Sequence, residues 1–105
     1  MIDQARVAEL RDEVGSEDLV EVVQLFCEEV EETLQRLASH PASGLTDDLH
    51  FLKGSALNIG MTEVGRLCQS AEMTLRTDPA AVPDIAGIAL AFRKSRQALY
   101  LELDG

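Results

Sequence analysis

Tryptophan is absent, proline occurs three times, and aromatic residues make up only 4% of the chain. With so few helix breakers, and with Leu, Ala, Val and Glu abundant, the composition favours helix over strand. Basic residues are scarce as well: nine Lys and Arg stand against 19 Asp and Glu, a net charge of −10. No Lys/Arg cluster is available to neutralise phosphates, which argues against nucleic acid and anionic membrane surfaces as partners. Long apolar runs are missing too. Asp3, Arg6, Glu9 and Arg11 interrupt the N-terminus, so neither a signal-peptide core nor a membrane span is expected, and the expected location is the cytoplasm. Cysteine is limited to Cys27 and Cys68, each among apolar residues at helical spacing. That pattern suits reduced core thiols better than a disulfide or a zinc site.

What is present is a repeated helical signal. The 105 residues suffice for one modest core, so residues 1–105 are expected to form one domain. Val7, Leu10 and Val14 predict a short first helix over 3–13, closed by Gly15. Ser16, Glu17 and Asp18 mark the start of a long helix, because a hydroxyl caps free amides and acids suit the positive helix end. Its stripe is Leu19, Val23, Phe26, Val30, Leu34 and Leu37. A break follows over 39–44, which carries His40, Pro41 and Ser43. His40 reads there as plain surface. The acidic run Glu28, Glu29, Glu31 and Glu32 reads as solvated helix surface rather than a partner-binding face.

Thr46, Asp47 and Asp48 repeat the start signal, Gly60 closes the next helix, and its stripe is Leu45, Leu49, Leu52, Ala56 and Ile59. A fourth helix over 62–77 is expected to bury Val64, Leu67, Cys68, Ala71 and Leu75. After Asp78, Pro79 and Pro83, the last helix presents Ile85, Ile88, Phe92, Leu99 and Leu103. The fold class is therefore all-α. The expected architecture is an antiparallel up-down-up-down four-helix bundle with a short additional N-terminal helix capping one end.

One segment of the third helix does not fit a purely structural reading. At about 100° per residue, the apolar stripe points roughly 140° away from His50, so the imidazole faces solvent rather than the core. Lys53 and Gly54, three and four residues on, are its neighbours on the helix surface. A lysine ammonium there can pair with a phosphoryl group on the imidazole. Glycine inside a helix costs about 1 kcal/mol relative to alanine, and beside an exposed histidine its use is to let a second protein approach. Leu57 and Met61 fall within about 20° of the direction of His50 by the same arithmetic. They are expected to form an exposed apolar docking patch. Ser55 points away, toward a backbone hydrogen bond.

His50, Leu52, Lys53, Gly54, Ser55 and Ala56 match in order the motif of the histidine-containing phosphotransfer family of multistep two-component signalling. Asn58-Ile59-Gly60-Met61 resembles the turn after that family's active helix, and Leu67, Cys68 and Glu72 resemble its next helix. Leu49 stands where the family often has alanine, a harmless change at a core position. The resemblance implies that His50 is the phosphoacceptor, Lys53 stabilises its phosphate and Gly54 gives steric access. It also implies relay of a phosphoryl group between receiver-domain aspartates, with no ATP-binding or autokinase activity. The partners implied are response-regulator receiver domains and, by extension, a hybrid sensor kinase. No cofactor of its own is expected, Mg²⁺ being supplied by the partner receiver, and the expected state is a monomer. Two rivals remain beside this reading. One is a non-catalytic helical adaptor in which His50 and Lys53 are ordinary surface. The other is a metal site using His50 with Asp47, disfavoured because bundle metal sites project their ligands inward.

Overall fold

The computed structural model describes residues 2–39 and 44–104, and five α-helices account for most of them. Helix α1 spans Gln4–Val14; the Asp3 carboxylate accepts from the Arg6 amide at 3.1 Å at its start, and Gly15, with φ +85°, closes it. Helix α2 runs from Ser16 to Ser39, with Glu17 and Asp18 in its first turn, where the helix dipole favours them. Helix α3 spans Leu45–Asn58 and begins one residue before the expected Thr46 signal; Gly44 is its N-cap, in the left-handed conformation, its carbonyl accepts from the Asp48 amide at 2.9 Å, and Asp47 and Asp48 fall in the first turn. Helix α4 spans Thr62–Thr77 and helix α5 Ile85–Asp104. Of the expected break over 39–44, Ser39 ends α2 and Gly44 precedes α3, while His40, Pro41 and Ser43 lie outside the described residues.

The four long helices pack in chain order around a square, α2 on α3, α3 on α4, α4 on α5, with α5 closing against α2. This is the expected antiparallel bundle with its extra N-terminal helix. The core follows from the stripes: Leu19, Val23, Val30, Leu34 and Leu37 of α2 meet Leu49, Leu52 and Ala56 of α3, Val64 and Cys68 of α4, and Ile88, Phe92 and Leu99 of α5. Cys27, not Phe26, completes the buried stripe of α2, and Phe26 is only partly buried at its edge. Leu67, Ala71 and Leu75 of α4 are likewise partly buried, beside a stripe of Val64, Gly65, Cys68 and Glu72. Both cysteines are free and buried, and burial pushes the Cys27 thiol up to about 11 and the Cys68 thiol up to about 12. Neither is therefore a thiolate near neutral pH, as the core-thiol reading requires.

Helix α1 caps the end of the bundle at the α3–α4 turn. Ile2 forms an antiparallel bridge with Met61, and the Asp3 amide donates to the Gly60 carbonyl at 2.8 Å. Gly60 has φ +80°, and a Cβ there would lie 3.0 Å from the Asp3 carbonyl and 3.2 Å from Val7, so the tight approach of α1 requires glycine on both counts. The acidic run of α2 divides between two environments. Glu28, Glu29 and Glu32 are exposed, whereas Glu31 turns toward Arg93 and Arg96 of α5, at 3.5 and 3.7 Å. Among the described residues no helix is long and apolar enough to cross a membrane.

Ser95 is fully buried on α5, and its Oγ has no hydrogen-bond partner among the described residues. A buried hydroxyl left unpaired carries a desolvation penalty of about 1–3 kcal/mol. Ser95→Ala is expected to raise the unfolding free energy by about 1 kcal/mol, measured by chemical denaturation. A loss of stability would show that the hydroxyl makes a bond in solution.

Candidate functional site

The stripe that buries Leu49, Leu52 and Ala56 turns the opposite side of α3 outward, and His50 emerges there with 72% of its side chain exposed. Its ring is not free to turn at random. Nδ1 lies 3.4 Å from Oε2 of Glu72, which reaches across from α4. A carboxylate only accepts, so this long hydrogen bond favours the tautomer with the proton on Nδ1 and leaves the Nε2 lone pair for solvent or a partner. Glu72 itself is 5% exposed.

Lys53 is one turn along α3 and leans toward the same helix. Its Nζ donates to Oε1 of Gln69 at 2.8 Å and lies 3.5 Å from Oε1 of Glu72. Imidazole, ammonium and carboxylate thus form one cluster across the α3–α4 interface. Apart from the lysine, Glu72 Oε1 has no hydrogen-bond partner among the described residues. A carboxylate held in the α4 stripe with one oxygen incompletely satisfied is costly for the fold.

Gly54 is exposed, and a Cβ built on it would meet nothing within 4 Å. Among the described residues nothing packs where that Cβ would stand, so glycine leaves open surface beside His50. A shallow hollow opens beside it, lined by Phe26 of α2, by His50, Phe51, Gly54 and Leu57 of α3, and by Arg6 of α1. Phe51 and Leu57 are 41% and 46% exposed, so the hollow is apolar next to the imidazole. Leu57 lies over Gly65, where a Cβ would come within 2.5 Å of its side chain. Ser55, though buried, also lines this hollow.

Met61 does not belong to this face. It is fully buried, and the reason is geometric: α3 ends at Asn58, and Gly60 turns the chain, so the helical angle count does not carry past Ile59. Met61 is the N-cap of α4, tucked against Ile2. Of the two residues expected to form an exposed apolar patch, Leu57 alone is exposed, and it shares the hollow with Phe51 and the partly buried Phe26. Asp47 is exposed one turn before His50 and lines a separate hollow with Glu29 and Glu32 on the α2 side. No group of three or more His, Cys, Asp or Glu suited to a metal ion occurs among the described residues.

Glu72, Gln69, Phe51 and Arg6 are the residues that sequence reasoning missed as parts of the site. Glu72 carried a signal: it follows Val64 and Cys68 at intervals of four, a carboxylate in step with a buried stripe.

A family model, the Hpt domain, matches residues 21–101 of the chain. The chain belongs to the Hpt domain family. Membership places it in histidine phosphotransfer within two-component signalling, as a phosphocarrier module rather than a kinase, interacting with response-regulator receiver domains. No curated protein and no solved structure matches the chain.

Proposed function

We propose that this Hpt domain relays a phosphoryl group between receiver-domain aspartates through His50. The observation that carries the reading is the exposed imidazole whose Nδ1 is engaged by Glu72 while its other nitrogen faces outward. In the forward step the Nε2 lone pair attacks the phosphorus of a receiver's phosphoaspartate in line. An N–P bond forms, the P–O bond to the aspartyl group breaks, and the aspartate leaves as a carboxylate. The imidazole ring gains positive charge as this happens, and Glu72, against Nδ1–H, stabilises that charge or takes the proton. Transfer to the next aspartate reverses each change.

Lys53 is close enough to serve the phosphorylated state. Released from Gln69, its ammonium can swing to the phosphoryl oxygens as a mobile point charge. Mg²⁺ bound by the receiver would offset charge on the phosphoryl group as it passes, so this chain contributes nucleophile, orientation and docking surface. It has no ATP-binding role in this scheme, and its partners are receiver domains, including one within a hybrid sensor kinase.

Gly54 provides a direct test of docking. Gly54→Gln is expected to leave the fold intact, since a Cβ there meets no packed neighbour within 4 Å among the described residues, but to fill the approach to His50. Transfer from a phosphorylated receiver is expected to slow by at least about 10-fold, mostly through weaker binding, because ~1.4 kcal/mol of lost contact suffices. Unchanged transfer kinetics would remove the docking role from this face.

A further inference from the structure

The hollow beside His50 has one wall that the phosphotransfer motif does not supply. Arg6 of α1 stands in it, and among its lining residues Arg6 is the one with a permanent charge. The guanidinium is held in place. Nε donates to the Asn58 backbone carbonyl at 2.9 Å, Nη2 donates to Asn58 Oδ1 at 2.8 Å, and Nη1 lies 3.3 Å from Glu9 and 3.7 Å from Glu13. The arginine side chain is still 23% exposed. The family match begins at residue 21, so α1 lies outside the shared part of the chain, where one member can differ from another without disturbing the relay chemistry.

The clamp on Asn58 sets Arg6 toward the far end of the hollow from His50. Asn58 is two turns along α3 from His50, about 12 Å at 1.5 Å per residue. A partner covering the hollow would nevertheless meet a cation already fixed in position, and an immobilised side chain gives up little entropy on binding. On a chain of net charge −10, a fixed positive group at the edge of an apolar hollow is a discriminating feature.

We propose that Arg6 is a specificity-determining residue of the docking face, pairing with a carboxylate at the rim of the receiver, while Glu9 and Glu13 set how much of its charge the receiver meets. The inference rests on the phosphotransfer reading above. It predicts an effect on KM rather than kcat, with opposite signs for the two kinds of substitution.

The experiment is phosphotransfer from a phosphorylated receiver domain, with rates measured across receiver concentrations for the wild type, Arg6→Gln, and a Glu9→Gln, Glu13→Gln double variant. Arg6→Gln is expected to raise KM about 2–5-fold, the range of a partly exposed ion pair. The double variant keeps the clamp on Asn58 and is expected to lower KM, and both changes should shrink as salt is added. The double variant is decisive, because bracing of α1 against α3 alone would not make it dock more tightly. An unchanged or raised KM in the double variant, with wild-type transfer intact, would overturn the role of Arg6 and leave the relay standing. Failure of the wild type to accept phosphoryl at all would overturn the relay, and this inference with it.

Discussion

His50→Gln is expected to abolish phosphoryl acceptance while leaving the helical bundle folded. Both halves follow from the same geometry. The imidazole is largely exposed and contributes nothing to the core, so its loss should move the unfolding free energy by no more than about 0.5 kcal/mol. The amide of glutamine offers no nucleophilic lone pair comparable to the imidazole nitrogen. Circular dichroism and thermal unfolding check the first half. Incubation with a phosphorylated receiver, followed by mass analysis, checks the second. A variant that still gained a phosphoryl group would place the acceptor elsewhere.

Glu72→Met is expected to separate function from stability. The carboxylate is buried at the α3–α4 interface, and one of its oxygens lacks a hydrogen-bond partner among the described residues, so an apolar side chain of similar length should hold or raise the melting temperature. Lys53 would keep Gln69 as a partner. The imidazole, by contrast, would lose the group that favours Nδ1–H and takes up the charge developed in transfer. Phosphoryl transfer should fall on the order of 10²-fold, the lower end of what a positioned acid or base contributes. Glu72→Gln, which keeps an acceptor but not the charge, should lie between. Unchanged transfer in the methionine variant would reduce Glu72 to a bystander. A large loss of stability would show that the ion pair with Lys53 holds the helices together.

Much of this architecture was legible before any coordinates, and the exceptions share a cause. Stripes at intervals of three and four placed all five helices, because the buried face of a bundle helix is written directly in its period. Phe26 was misplaced because period alone cannot separate adjacent positions at the edge of a stripe, and Cys27 took the buried one. Met61 failed for a sharper reason: the angular count assumes one continuous helix, and Gly60 ends it. His50, Lys53 and Gly54 were visible because their relation is local, within one turn of one helix. Glu72, Gln69 and Arg6 lie 22, 19 and 44 residues away from His50 and meet its neighbourhood only through the packing of α4 and α1. Spacing within a helix says nothing of which neighbour will face it.

The central claim is that Nε2 of His50 carries the phosphoryl group. The most direct measurement is phosphorylation by a receiver domain charged with a small phosphodonor, followed by intact-mass analysis and nuclear magnetic resonance of the histidine ring. The account predicts a gain of one phosphoryl group that is labile in acid, attached at Nε2 and absent from His50→Gln. Attachment at Nδ1 would contradict the orientation assigned to Glu72. No gain from any receiver offered would contradict the relay itself.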